Sequence, residues 1–272
     1  MGTALESART GALDYLEIDR VVGRSRGCEA FSEALGSIAN GESLLRCLAK
    51  YVHFNAAFGS GVAGLAGAIG ARLDLFRDPA EPLASLADRS TEIAAAIFFA
   101  AVDEFGGAAA RCPTHRAMAQ DLLRAAASYL DATLPAGIAP GAGTSARVCE
   151  GYGVGRELAD AELFGAMGFH LGSELLADRE FALLHDFLRS RYASLVRHLE
   201  QTRTAAGHPA YLWIRLHTTV EVDHFERGLR GANRALDFYA GPGGREEMRN
   251  EILAGAARFA GLQAEFMRAI LD

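Results

Sequence analysis

Proline placement constrains this chain more than any other feature. Its seven prolines are Pro79, Pro82, Pro113, Pro135, Pro140, Pro209 and Pro242, and all fall between segments of helical pattern. Proline inside a helix removes a hydrogen bond and clashes with the preceding turn, costing about 3 kcal/mol, so these positions mark boundaries. Between them apolar residues recur every three or four positions, as in Leu122, Leu123, Ala126 and Leu130, or Leu163, Phe164, Met167 and Leu171, or Phe181, Leu184, Phe187, Leu188 and Tyr192. Alternating β-branched runs are absent. The pattern predicts about eight helices, near 11–22, 28–39, 42–75, 83–105, 114–132, 156–177, 179–206 and 209–239, with a ninth over 244–271. The glycine-rich stretch 135–155 is the one extended-looking region and reads as a crossover connection or a mobile cover. No internal repeat and no long linker interrupts the pattern. The expectation is one all-α domain over 1–272, a bundle of about seven to nine helices with its core at about 42–240 and a C-terminal helix at 244–271.

Composition narrows the class of partner. Half of the 272 residues are hydrophobic and 22% are charged, which is globular composition. The formal net charge is −7, and the basic residues are arginines apart from Lys50, with no arginine stripe. A nucleic-acid partner is not expected. The N-terminus carries acids early and lacks an apolar core, so no signal peptide is expected. The uncharged run from Phe54 to Ala71 is rich in Gly and Ala. It falls short of the roughly 20 apolar residues of a membrane span, so no membrane role is expected, and it reads as a helix that neighbours approach closely. Cys28, Cys47, Cys112 and Cys149 lie far apart with no C-x-x-C, which suggests neither a zinc site nor a disulfide framework and makes the cytoplasm the default location.

The segment YLWIRLHTTVEVDHFERGLRGA carries the most chemistry. His217, Glu221 and His224 stand at i, i+4 and i+7, which at 3.6 residues per turn puts them within roughly 60° of one another on a helix. Two imidazoles and a carboxylate on one stripe suit a divalent transition metal such as iron or manganese. Asp223 points elsewhere and reads as solvated or as an outer partner. In AAIFFAAVDEFGGAAARCPTHRAM, Glu104 closes an apolar helix and His115 opens the next. A carboxylate at a helix C-terminus opposes the macrodipole and a neutral imidazole suits an N-terminus, so a cation between the two fits both; solvation of Glu104 and Asp103 at the helix end is the plainer alternative. In FGAMGFHLGSELLADREF, Glu174 follows Ala166, Met167, Phe169 and Leu171, with His170 on the same face at i−4 as a competing ligand. A buried carboxylate costs several kcal/mol unless paired or metal-bound.

In order and character these motifs resemble the haem-oxygenase-like di-iron oxidases and oxygenases. The shared elements are Glu at the end of an apolar helix, a Gly-rich link, His, then a G-x5-E helix and a final H-x3-D/E-x2-H. The resemblance runs from about Leu44 to Leu236 and implies a haem-oxygenase-like bundle without haem. It implies Glu104, His115, Glu174, His217, Glu221 and His224 as the metal ligands and catalytic centre for two iron ions, with O₂ as co-substrate. The family usually has Asp where Glu221 stands; the stretch TRTAAGHPAY lengthens the distance to His217; and YVHFNAAFGSG offers no early-helix acid, which leaves His53 and Asn55 as lining candidates. Ferritin-like proteins supply two E-x-x-H motifs, whereas this chain has one, Glu221 to His224. A true haem oxygenase would need an axial His on an early helix, for which His53 is the candidate.

The implied reaction is O₂-dependent oxidation of a small amine or amino-acid-like molecule by desaturation, cyclisation, C–C cleavage or N-oxygenation, in natural-product biosynthesis. An external electron source and a homodimer belong to the same expectation. Arg111, Arg215 and Arg227 are available to a substrate carboxylate, with Arg227 one turn past His224 as the choice, and Trp213, Phe169, Phe98 and Val220 as apolar lining. The alternatives are a non-catalytic metal- or ligand-binding helical protein and a cofactor-free enzyme of the same fold.

Overall fold

The computed structural model describes residues 11–81, 87–107, 113–134 and 143–272, and it is an all-α bundle. In chain order the described helices are α1 (Tyr15–Gly23), α2 (Gly27–Gly36), α3 (Gly41–Asn55), α4 (Phe58–Gly70), α5 (Ser90–Glu104), α6 (His115–Tyr129), α7 (Thr144–Gly151), α8 (Asp160–Arg191), α9 (Ala193–Gln201), α10 (Leu212–Phe238) and α11 (Arg245–Arg268). A two-residue antiparallel ladder, β1 (Arg77–Asp78) with β2 (Ala87–Asp88), lies between α4 and α5.

Capping accounts for several starts. Asp14 accepts from the Glu17 amide, Asn40 and Ser43 form a reciprocal capping box, and Glu162 reaches back to the Ala159 amide at 3.0 Å. The run expected as one helix over 42–75 is divided into α3 and α4. Asn55 turns its side-chain amide onto the Tyr51 carbonyl at 2.9 Å, and the Ala56 amide tightens onto His53. Such a local side-chain bond competes with the helical ladder. Conversely α8 runs straight through the boundary expected near 178, because that stretch holds neither Gly nor Pro. Helix α7 occupies the described part of the glycine-rich stretch, and residues 135–142 lie outside the described residues.

Helix α8 is the axis of the bundle. From Leu163 to Leu176 every residue is buried, as befits a helix surrounded on all sides. α11 packs along one side of it and α10 along another, while α5 lies against α4 and α10. The α8–α11 contact is backbone against backbone. A Cβ on Gly168 would sit 1.8 Å from the Ile252 carbonyl oxygen, and one on Gly255 would sit 1.9 Å from that of Gly165. One contiguous core includes Ile18 and Val22 of α1, Phe31 of α2 and Met267 of α11, so it extends beyond the 42–240 span expected from sequence. By length and composition Gly41–Gly70 is apolar enough to cross a membrane; here it bends at 56–57, and Leu44, Leu48, Val62 and Leu65 face the core.

The core also holds an acid. Glu180 is buried, accepting from the Tyr51 hydroxyl at 3.0 Å and from the Gln263 amide at 2.9 Å. Burial, outweighing those two bonds, raises its pKa from 4.5 to about 7.

Two outcomes are expected in urea denaturation. Gly168→Ala forces the α8–α11 backbones apart and lowers stability by about 1–3 kcal/mol or more. For Glu180, the folded state binds the proton more tightly than the unfolded chain. Its contribution is therefore fully present below the unfolded value and declines as pH rises toward about 7, by about 3 kcal/mol in all. Glu180→Gln removes that decline, since Gln263 can rotate its unpartnered Oε1 toward the new amide. The stability loss from pH 5 to pH 8 should shrink in the variant, and an unchanged loss would contradict the assignment.

Candidate metal centre

Four helices bring the six candidate ligands together. Glu104 is the last residue of α5. The helix stops there because Gly106 and Gly107 adopt φ of 100° and 68°, letting their amides cap the Asp103 and Val102 carbonyls. Pro113 and Thr114 then start α6: the Thr114 hydroxyl accepts from the Ala117 amide and sets His115 as the first helical residue. Glu174 lies midway along buried α8, and His217, Glu221 and His224 project from one stripe of α10.

The ligand atoms form two adjoining triads, Glu104–His115–His217 and Glu174–Glu221–His224, each with its donor atoms within 4.8 Å of one another. His115 Nδ1 is 3.0 Å from Glu104 Oε1, and His224 Nδ1 is 3.3 Å from Glu174 Oε2. Glu221 belongs to both neighbourhoods. Its Oε1 lies 3.7 Å from His217 Nε2 and its Oε2 lies 3.6 Å from His224 Nδ1. The extra methylene relative to Asp leaves the carboxylate between the triads.

Outer contacts orient two of the imidazoles. His217 donates from Nδ1 to the Trp213 carbonyl at 2.7 Å, leaving Nε2 as the lone pair toward Glu221. His224 donates from Nε2 to Asp103 Oδ2 at 2.9 Å, leaving Nδ1 toward Glu174 and Glu221. These hydrogen bonds select the tautomer that a metal requires. Phe181 stacks on the His217 ring at 4.1 Å, and Phe99 meets His224 edge-on.

The charges are those of a site built around cations. Burial, reinforced by nearby Glu174, holds the Glu221 carboxyl well above its usual range. Burial also acts upward on Glu174, but His170 and His224 outweigh it and hold Glu174 well below. Burial and neighbouring His115 keep His217 well below the usual imidazole range. Burial disfavours a charged His224, yet Glu174 and Glu221 prevail and push it up to about 11. Two hard carboxylates, balanced by a proton and by neighbouring imidazoles, form a donor set that divalent iron or manganese suits.

The other sequence candidates are dispersed. His170 is buried with Nδ1 3.2 Å from Glu174 Oε1, out of hydrogen-bond alignment and outside both triads. Trp213 lines a 330 Å³ pocket over His217, and Asn55 lines it too. His53 instead meets Ser145 at 3.0 Å. Phe169 packs on Tyr152 and Phe259 and lines a separate groove beside α7 and α11. Arg227 does not line the pocket: it pairs with exposed Asp223 at 3.1 Å and lies over Phe99. Arg215 and Phe98 are exposed, Val220 is half-buried, and Arg111 lies outside the described residues. Sequence reasoning passed over Asp103 as a ligand partner and Arg116 in the pocket lining. The signal for Asp103 was present, since it adjoins Glu104 and the outward nitrogen of His224 needs an acceptor.

Comparison with models of known protein families, with curated proteins and with solved structures finds no match for this chain.

Asp103→Asn keeps the shape of the side chain but removes the carboxylate that fixes the His224 tautomer. Loss of such an outer partner typically costs 10–100-fold in metal affinity. Co(II) titration of the variant is expected to show one site weakened by about that factor, with the Glu104–His115–His217 site unchanged. Equal weakening of both, or of neither, would count against the two-triad geometry.

Proposed function

We propose that this protein is a non-haem di-iron enzyme that uses O₂ to oxidise a small amine or amino-acid-like molecule, with a haem-oxygenase-like helical scaffold. The position of Glu221 carries the reading: one carboxylate stands between two triads and addresses each through a different oxygen. A single-ion site has no use for the second triad, and a purely structural ion pair has no use for six buried or half-buried ionisable groups converging from four helices. The order Glu104, His115, Glu174, His217, Glu221, His224 also resembles the ligand order of that superfamily.

Glu104, His115 and His217 would hold one ion, and Glu174 and His224 the other, with Glu221 available to both. Two Fe(II) bound there would supply the electrons that reduce O₂. The chain's own contribution is to orient and to exclude. Trp213 and Asp103 keep the histidine lone pairs aimed inward. Phe181, Phe99 and Trp213 wall the imidazoles with apolar surface. That limits water and strengthens every electrostatic interaction inside. Small molecules reach the Glu104–His115–His217 side through the 330 Å³ pocket, at the lower end of the size range of ligand sites.

Anaerobic Fe(II) titration of the metal-free protein is expected to reach two irons per chain, and exposure to O₂ to produce a transient visible absorption band. His217→Ala is expected to lose one iron and the band. Two tightly bound irons with no response to O₂ would favour the alternative of a non-catalytic metal-binding protein. Absence of bound metal would refute both.

A further inference from the structure

The 330 Å³ pocket above Glu104, His115 and His217 is polarised along its rim. Its walls are largely apolar, from Val52, Ala56, Phe105, Ala119 and Trp213. Among the described lining residues Arg116 is the one cationic arginine, and the one acid, Glu104, is engaged with His115 at 3.0 Å. Arg116 is exposed at the second position of α6 and has no ion-pair partner among the described residues. That sets it apart from Arg72, Arg89 and Arg234, each held by an acid.

Hydrogen-bond accounting sorts the neutral polar groups. Thr114 Oγ1 accepts from the Ala117 amide, so its O–H remains free to donate. Asn55 uses an amide hydrogen on the Tyr51 carbonyl, and Ser60 uses its hydroxyl hydrogen on the Ala57 carbonyl. Neutral donors remain elsewhere in the lining, on the second Asn55 amide hydrogen and the Trp213 indole. Among the described lining residues outside the two triads, however, the one charged donor is Arg116, two residues from the free Thr114 hydroxyl at the start of α6.

We propose that this pocket binds a small carboxylate. Arg116 and Thr114 receive the carboxylate, the apolar chain lies along Trp213 and Phe105, and the far end is presented to the Glu104–His115–His217 face. One planar guanidinium and one hydroxyl on the same pocket lining match a single planar anion, which the guanidinium can grip through two parallel bonds. The oxidation at the floor rests on the di-iron reading given above; the binding mode does not, because neither Arg116 nor Thr114 is a ligand.

Trp213 is the only tryptophan of the chain and lines this pocket, so its fluorescence reports occupancy directly. Hexanoate, hexanamide and hexanol, equal in chain length, are titrated into the full-length metal-free protein. Hexanoate is expected to change the emission saturably and to bind about tenfold or more tightly than the amide or alcohol, the margin of a charge-assisted hydrogen bond. Arg116→Gln should bring hexanoate down to the hexanamide level while leaving hexanamide unchanged; the side chain is exposed, so circular dichroism should show an unaltered fold. Equal binding of hexanoate and hexanamide, retention of hexanoate affinity in Arg116→Gln, or no saturable response to hexanoate would each overturn the proposal. Anaerobic Fe(II) titration of the same metal-free preparation separates the two ideas. Hexanoate binding without iron binding removes the enzymatic reading and leaves the pocket, whereas iron binding without carboxylate preference does the reverse.

Discussion

Glu174 and Glu221 stand side by side in an apolar core, and the repulsion and desolvation of that pair set terms that the surrounding helices must meet. Two buried carboxylates are stable only when each finds a positive or hydrogen-bonding partner. The chain meets part of this requirement itself, through a proton on Glu221 and a cationic His224 held between both acids. The rest of the local structure follows. His224 keeps its Nδ1 on the acids because Asp103 takes the other nitrogen. Asp103 and Glu104 arrive together because α5 ends on them, at a pair of glycines that turn the chain away.

The scaffold lets such a cluster sit deep without leaving gaps. Helix α8, which carries Glu174, is enclosed by α10 on one side and α11 on another. The α11 side is close because Gly168 and Gly255 allow backbone to meet backbone. Phe181 lies against His217, with Trp213 and Tyr51 beyond it, and Glu180 lines a small cavity of about 30 Å³ together with Glu104, Glu174, His217 and Glu221. Two ionisable clusters thus occupy one core and face a common cavity, with Phe181 beside both. The ligand cluster opens through Trp213 to the pocket that carries Arg116.

Much of this was legible in the chain. Proline and helical spacing indicated an all-α bundle, and the i, i+4, i+7 stripe of α10 is a property of helix geometry alone. Missed features depend on contacts distant in sequence. The break at 56–57 comes from Asn55 bonding Tyr51, a choice open to any Asn and not visible in spacing. Helix α7 forms inside a glycine-rich stretch where Gly151 must accommodate the Phe169 ring. From sequence Phe169 is an apolar lining candidate, and Arg227 a carboxylate anchor because it stands one turn past His224. Yet Phe169 faces α11 and Arg227 lies behind Phe99, because a helix has a back as well as a front.

By itself the sequence determined the helices, the alignment of His217, Glu221 and His224 on one of them, and the presence of Glu104, His115 and Glu174 at helix positions fit for ligands. Those follow from 3.6-residue periodicity and from chain-breaking residues, which act locally. Tertiary structure alone decided that the six donors form two triads joined by Glu221, that Asp103 and the Trp213 carbonyl orient the histidines, and that Arg116 rather than Arg227 lines the pocket. Each of those depends on the angle at which α10 crosses α5 and α8. That angle is set by the packing of small and large side chains brought together from across the chain, which no local pattern encodes.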